Sequence, residues 1–385
     1  MTSDSAKGDT WPPAGPVAVL YESIEAPAVG NVHRSVKRGG YADSGADIAF
    51  ALRAAGVEVR TPAPEPAAGV DTDWVYPDSI EGIQAALDDG ARVLWANTVL
   101  FKGHPLESFL KLARIVGQLP ERVQSYDDKW VANELLRRHG LPVAPSVLVG
   151  TDDPRQTYSI DAVSDSELAA HGLHFPLVVK PLRGRGSQGV FRVDTLDSLR
   201  ARFEQIMKAS EIFRGDLVPV FDRSVIVEQF LPGEELAVAV MPPGTYRIQG
   251  EQQTMAAHWS LPAVQRCRHE DGVAPYDDAE PLASNSKPLD RDAQQQPALR
   301  RLLDHCARAA ALVDSRAPIR IDCRAGKDGK YYLFDLNMKP NLTGPGRPDR
   351  DNRDSLIAMA ARAAGWSYTD LLLNMLAQSW TQGRK

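Results

Sequence analysis

Apolar positions along this chain fall into two recurring periods. Pro16-Val-Ala-Val-Leu-Tyr21 is a short continuous apolar run and reads as a first strand. Ser44 to Ala55 (SGADIAFALRAA) has its apolar residues at helical spacing and stops at Gly56. Val57-Glu-Val-Arg60 then reads as a strand, Ile80 to Leu87 as a helix, Arg92-Val-Leu-Trp95 as a strand, and Pro105 to Val116 as a helix. Strands alternating with helices predict an α/β domain with a mostly parallel sheet over residues 16–124. No G-x-G-x-x-G follows the first strand, which argues against a dinucleotide fold.

From Ser125 the pattern changes. A helix is expected from Asp127 to His139, with Gly140 as its stop. Strands follow at Phe175–Lys180 and Val190–Val193, then a helix over Leu196–Met207 and a strand over Val225–Phe230. These elements make a second unit, residues 125–231. The strand Glu234–Met241 opens a third, residues 232–385. Pro242 to Leu289 is rich in Pro, Gly, Asp and Gln, which predicts short strands and the long loops from which lids and substrate contacts are built. Helices over Ala298–Val313, Asp354–Ala364 and Tyr368–Ser379 complete the chain.

Composition narrows the class. With 385 residues, 43% hydrophobic and 24% charged, the chain is an ordinary globular protein with room for several cores. A net charge of −6 leaves no footprint for nucleic acid or an anionic membrane. Cys267, Cys306 and Cys323 are too few and too dispersed for a disulfide framework or a cysteine zinc site. Residues 1–15 are polar and Pro/Gly-rich, read as a disordered tail without a signal peptide's apolar core, and the expectation is a cytoplasmic protein.

The most informative chemistry lies in a predicted hairpin. Arg320-Ile-Asp322 and Phe334-Asp335-Leu-Asn337 flank the turn Ala325 to Gly329. Residues two apart on a strand share a face, so Arg320 and Asp322 project together, as do Asp335 and Asn337. If the register aligns them, two carboxylates and an amide oxygen meet beside a guanidinium. Hard oxygen ligands of this kind suit Mg²⁺ carrying nucleotide phosphates, and the arginine suits a phosphate or an oxyanion. A salt-bridged surface hairpin is the plainer reading of the same residues.

Three further segments bear on that choice. Leu177-Val-Val-Lys180 runs into a glycine-rich turn with Gly184, Gly186, Ser187 and Gly189. Its backbone N–H groups can close over phosphates, although no Gly-Lys-Ser/Thr enters a helix as in a Walker loop. An apolar strand ends in Glu228, then Phe230 and Leu231, then a Pro-Gly turn and Glu235. Such a segment can read an adenine edge and hold a ribose. Lys129 sits where the second unit's first helix begins, with Asp127 or Asp128 as its natural cap.

In this order the motifs resemble those of the ATP-grasp superfamily, and within it the D-alanine–D-alanine ligase branch, over roughly Ala14 to Gln378. The resemblance implies a parallel α/β domain followed by two α+β subdomains that clamp ATP, with the glycine-rich loop as a lid. It implies that Lys129 and Lys180 meet the phosphates, that Gly186, Ser187 and Gly189 close over them, and that Glu228, Phe230 and Leu231 read adenine while Glu235 holds ribose. Asp322, Asp335 and Asn337 would hold one or two Mg²⁺, with Mn²⁺ able to substitute. Arg320 would stabilise an acyl-phosphate and a tetrahedral intermediate, with Asn341 in the adjoining oxyanion turn. Small amino acids are the implied substrates and a homodimer the implied assembly.

The departures from the family pattern concern the substrate. Asn341 stands where a glycine is expected, and Lys339, Thr343 and Arg347 are assigned to the substrate side, two of them as extra cations. Lys37 falls near the place of the family's ammonium-binding glutamate, where a cation better suits a carboxylate. Arg266 and Lys287 are further candidates for a substrate carboxylate or the γ-phosphate. The expectation is a specialised dipeptide or γ-glutamyl ligase. D-Ala–D-Ala ligation for the cell wall and a non-catalytic nucleotide-binding protein are the alternatives.

Overall fold

The computed structural model describes residues 11–383 apart from 13–14, 30–31, 35, 37–38, 152, 185, 214–215, 268, 270–271 and 274–281. The N-terminal sheet has four parallel strands in the spatial order Tyr76–Pro77, Val17–Tyr21, Val93–Asn97, Arg114–Val116. Alternation explains its layers. Val17 and Val19 face the helix Ala42–Ala54, packing with Ile48, Ala49 and Leu52. Ala18 and Leu20 face the other way, towards Ile83 and Ala86 of the helix Ile80–Asp88. Burial on both faces is why this strand reads as an unbroken apolar run.

Two expectations fail in this sheet. Pro105–Val116 is not one helix. It begins as a short 3₁₀ turn, Pro105–Phe109, and ends as the edge strand Arg114–Val116. The helical spacing of Leu106, Phe109, Leu110 and Ala113 does bury all four, but β-branched Ile115 and Val116 pair with Leu94 and Trp95 instead of extending a helix. Among the described residues, Val57–Arg60 makes a single bridge, Val17 to Val59.

The central sheet has five strands in the order Phe191–Val193, Leu177–Pro181, Ser224–Gln229, Ser146–Gly150, Tyr158–Ser159. Val147, Val149, Val179, Val225 and Val227 pack on Leu199, Phe203 and Ile206 of the helix Leu196–Lys208. Thr195 and Ser198 close that helix with a reciprocal capping box. The opposite face, carrying Lys180 and Glu228, turns towards the third unit.

The C-terminal sheet runs Ser286–Pro288, Val264–Arg266, Glu235–Met241, Ile319–Ala325, Tyr331–Asn337, with Trp259–Ser260 also paired to Glu235–Met241. Leu236, Val238, Val240, Ile319, Ile321 and Cys323 lie in one apolar layer with Leu302, Cys306 and Ala309 of the helix Pro297–Leu312. The other face begins with small residues: Ala237 lies opposite Asp322 and Ala239 opposite Arg320. Small neighbours leave room for large polar side chains beside them. Among the described residues no helix is long and apolar enough to cross a membrane.

Candidate active site

A cleft of about 610 Å³ lies between the central and C-terminal sheets, a volume typical of small-molecule sites. Its floor is the predicted hairpin. The register pairs Arg320 with Asn337 and Asp322 with Asp335, and slips at a bulge just after Asp322. The four polar side chains therefore share one face and line the cleft. Arg320 chelates Asp322, its Nε donating to Oδ1 at 2.9 Å and its Nη2 to Oδ2 at 2.8 Å. Burial pushes the Asp322 carboxyl above its ordinary range. The Arg320 charge opposes that shift, and the nearby Asp335 adds to it. Two carboxylates crowded on one face of the cleft are better tolerated with a cation between them.

Asp335 already meets one cation: Lys129 Nζ lies 3.2 Å from its Oδ1. The same ammonium donates to the Gly184 carbonyl at 3.3 Å, at the start of the glycine-rich loop. Lys129 is held there because Asp128 caps its helix, accepting from Trp130 and Val131 N–H. The loop itself turns through left-handed backbone at Gly186, Ser187 and Gly189, with φ of 62°, 58° and 73°. At Gly189 a side chain would also meet the Phe221 ring at 3.0 Å, so glycine is needed there on both counts.

Lys180 and Glu228 lie diagonally on neighbouring strands of the central sheet. Lys180 Nζ donates to Glu228 Oε1 at 2.7 Å and to the Phe334 carbonyl at 3.1 Å, tying the two sheets together across the cleft. Glu228 Oε2 is buried and makes no hydrogen bond among the described residues. An orphaned buried acceptor of this kind is costly unless a ligand satisfies it, and an amino group on a nucleotide base fits. Phe230 and Leu231 follow and line the cleft. Two guanidiniums lie near the Phe230 ring, Arg192 at 4.9 Å and Arg324 at 5.1 Å from its centroid. Glu235 accepts from His269 Nε2 at 3.1 Å and sits 3.6 Å from Arg324.

The donor set suits Mg²⁺ by chemistry: two facing carboxylates and an amide oxygen, all hard, with coordination left for phosphate oxygens and water. Among the described residues no cluster of three or more His, Cys, Asp or Glu forms a metal site, so phosphate would have to complete the coordination.

The substrate-side candidates separate. Asn341, Arg266 and Lys339 line the cleft. Arg266 is buried opposite Glu235 and donates to Ser286 Oγ at 3.0 Å. Lys339 Nζ reaches Asn97 Oδ1 at 3.1 Å and lies 3.6 Å from the Tyr41 ring centroid. Lys287 is exposed on the strand Ser286–Pro288 and does not line the cleft. Thr343 is buried in the loop beyond it, its N–H bonded to Asn341 Oδ1. Arg347 is a correction. Its guanidinium turns away from the cleft and is spent on Asp47 (2.8 Å), Asp71 (2.7 Å) and the Asp43 and Ala68 carbonyls. Lys37 lies outside the described residues.

Sequence reasoning did not single out Tyr41, Asn97 or Arg324. Asn97 had a signal: it ends a parallel strand, and ligands of open α/β sheets gather at such carboxyl ends. Tyr41 follows Gly39-Gly40 just before a helix, a position that foretells a turn but not an aromatic ring aimed at a lysine.

Comparison with known proteins agrees with this architecture. Residues 135–377 match the family model described as D-ala D-ala ligase C-terminus. The chain is 29% identical over 239 residues to a D-alanine–D-alanine ligase of Ectopseudomonas mendocina, covering 60% of this chain and 61% of that protein. It is 30% identical over 243 residues to one of Stutzerimonas stutzeri, covering 61% and 62%. The matched stretch thus spans about three fifths of these relatives. The structure of a D-alanine–D-alanine ligase from Bacillus anthracis, solved with ATP, superposes with a TM-score of 0.59 at 18% identity, covering 95% of this chain and 97% of that one. One from Coxiella burnetii gives 0.60 at 14%, covering 94% of each. The chain has the ATP-grasp fold and belongs to the D-alanine–D-alanine ligase family.

Proposed function

We propose that this protein is an ATP-dependent, ADP-forming ligase that joins the carboxylate of one amino acid to the amine of another through an acyl-phosphate. The observation that carries the reading is the facing of Arg320–Asp322 with Asn337–Asp335 on the cleft floor. Lys129, at the start of its helix, and Lys180, on the central sheet, converge on the same cleft.

In the first step a carboxylate oxygen of the substrate bonds to the γ-phosphorus of ATP as the bond to ADP breaks. The amine of the second substrate then attacks the acyl carbon, phosphate leaves with the electrons of the C–O bond, and the amine's proton passes to the departing phosphate. Catalysis of this kind is positioning and charge stabilisation. Lys129 and Lys180 offer point charges to phosphate oxygens. Glu228, Phe230 and Leu231 offer an adenine site and Glu235 a ribose site. Arg320 holds the charge that develops on the acyl-phosphate and the tetrahedral carbon. Asp322, Asp335 and Asn337 would hold Mg²⁺, which when bound neutralises phosphate charge.

Within that class we favour a specialised dipeptide or γ-glutamyl ligase. The support is the substrate side, where a lysine and an asparagine, Lys339 and Asn341, line the cleft. D-alanyl-D-alanine formation is the second reading, supported by the names of the relatives. A phosphate-release screen with ATP, Mg²⁺ and pairs of L- and D-amino acids, read by mass spectrometry, tests both. A dehydrated adduct identifies the substrates. ATP binding without ADP formation across the panel would reject a ligase. Activity confined to D-alanine would reject the specialised reading.

Asp335→Asn keeps the shape of the side chain and removes one of the two carboxylates. The Mg²⁺ concentration for half-maximal activity should rise by more than the roughly 10- to 100-fold that follows loss of an outer-shell partner. An unchanged Mg²⁺ titration would take Asp335 out of the metal set.

A further inference from the structure

The glycine-rich loop leaves the strand Leu177–Pro181 through Leu182, Arg183 and Gly184, and each of the three is held from the start of the helix Lys129–Arg138. The Leu182 carbonyl accepts from Lys129 N–H at 2.9 Å. Arg183 Nη2 donates to Asp128 Oδ2 at 3.0 Å. The Gly184 carbonyl accepts from Lys129 Nζ at 3.3 Å. The Leu182 side chain is buried with Leu148 and Ile226, and Trp130 of the same helix packs against that cluster.

Asp128 is the hub of these contacts. It is buried, and its two oxygens have separate tasks. Oδ1 caps the helix, accepting from Trp130 N–H at 3.0 Å and Val131 N–H at 3.2 Å. Oδ2 accepts from Arg183 and also from Arg155 Nη1 at 3.1 Å. Arg155 is itself forked onto Asp153, at 3.0 and 2.8 Å. The other arm of Arg183, Nη1, donates to Asp222 Oδ1 at 2.7 Å. Asp222 adjoins Phe221, whose ring lies against Gly189 at the far end of the loop. Arg183 therefore ties the helix of Lys129 to the segment on which the loop ends. Neither Asp128 nor Arg183 lines the cleft, whereas Lys129, Gly184, Gly186 and Ser187 do. A buried carboxylate between two guanidiniums outside the cleft is placed to fix the groups that touch a ligand.

We infer that Asp128 and Arg183 are positioning residues that set the glycine-rich loop against Lys129, so that the terminal phosphates of a nucleoside triphosphate meet both together. The assignment rests on the ATP-dependent reading above and adds the pair that makes the site selective for a triphosphate. With its root fixed, the loop needs to order only its tip when phosphate binds, and such preorganisation strengthens binding. Losing either partner frees the root and weakens the phosphate contacts. The base and ribose candidates, Glu228 and Glu235, stand on the strands Ser224–Gln229 and Glu235–Met241 and are left in place.

The test is calorimetric binding of ATP and of AMP to the full chain with Mg²⁺ and no amino acid. AMP keeps the base and ribose and lacks the two terminal phosphates. The wild type should prefer ATP. Arg183→Met should lower ATP affinity by about 10- to 100-fold, the range of one charged hydrogen bond, and change AMP affinity by less than about 2-fold. Asp128→Asn keeps a good helix cap and removes the charge that holds Arg183. It should show the same selective loss, which guards against a folding defect in the first variant. The double variant should be little worse than either single one, because both remove one interaction. Arg183→Lys, which keeps the charge, should recover part of the preference. Equal losses for ATP and AMP, or a lowered melting temperature with an unchanged ATP-to-AMP ratio, would overturn the proposal and leave the network a structural one. A wild type that binds ATP no more tightly than AMP would overturn it as well, with the base and ribose site intact. Binding of neither nucleotide by the wild type would overturn the ATP reading itself, and the positioning role with it.

Discussion

Replacing Arg320 with alanine should lower kcat by about 100- to 1,000-fold, the usual loss when one oxyanion donor is removed, while the KM for ATP changes little. The guanidinium sits across from Asn337 on the cleft floor, on a different sheet from Glu228, which with Phe230 and Leu231 would read the base. Its charge is needed where negative charge develops, so the loss should fall on turnover. One complication follows from the geometry. Arg320 also chelates Asp322, and without it burial and the neighbouring Asp335 would push that carboxyl still higher. Arg320→Ala should therefore also raise the Mg²⁺ concentration needed for half-maximal activity. Arg320→Lys separates the two effects. A lysine keeps the charge beside Asp322 but loses the planar fork, so Mg²⁺ dependence should stay near wild type while kcat remains depressed. Wild-type turnover in Arg320→Ala would remove the residue from the chemistry.

The hairpin was legible because its chemistry is local. Alternation alone puts Arg320 with Asp322 and Asp335 with Asn337, and the short turn between the strands leaves little freedom in how they pair. The slip after Asp322 was not legible, since a bulge depends on what the neighbouring strands accept. Lys129, Lys180, Glu228 and Glu235 could be picked out by residue type and order. Their partners could not: Lys129 meets Asp335 and Lys180 meets the Phe334 carbonyl only because elements distant in sequence close on one another. Pro105–Val116 shows the opposite failure. Its apolar spacing named the buried residues correctly and the element wrongly, because a buried stripe can be met by a 3₁₀ turn followed by an edge strand. Arg347 was misread for a related reason. A cation two glycines beyond the active-site loop looks like a substrate contact until the helix carrying Asp47 is folded against it.

That contact carries the second large effect. Arg347 and Arg350 both grip Asp47, which is fully buried in the helix Ala42–Ala54. Arg347 also holds Asp71, and Arg350 holds Asp43. At Gly346 a side chain would come within 2.3 Å of the Asp47 carbonyl, so the loop lies flush on the helix. The loop thereby fastens the C-terminal unit to the N-terminal sheet. Arg347→Ala leaves Asp47 with one cation in place of two, and removal of one partner from a buried pair costs about 3–5 kcal/mol. With Arg350 still present, a loss of about 3 kcal/mol is expected, read as a lower urea midpoint at unchanged slope. Burial already raises the Asp47 carboxyl above its ordinary range against the pull of both arginines. Losing Arg347 raises it further. A carboxyl whose folded value exceeds its unfolded one stabilises below the unfolded value and loses that contribution as pH rises through the folded one. The variant's deficit should therefore grow from mildly acidic pH towards neutrality. Asp47→Asn in the Arg347→Ala background removes the stranded charge and should recover part of the loss near neutral pH. A deficit independent of pH, unrelieved by that second change, would mean that packing and not charge holds the loop to the helix.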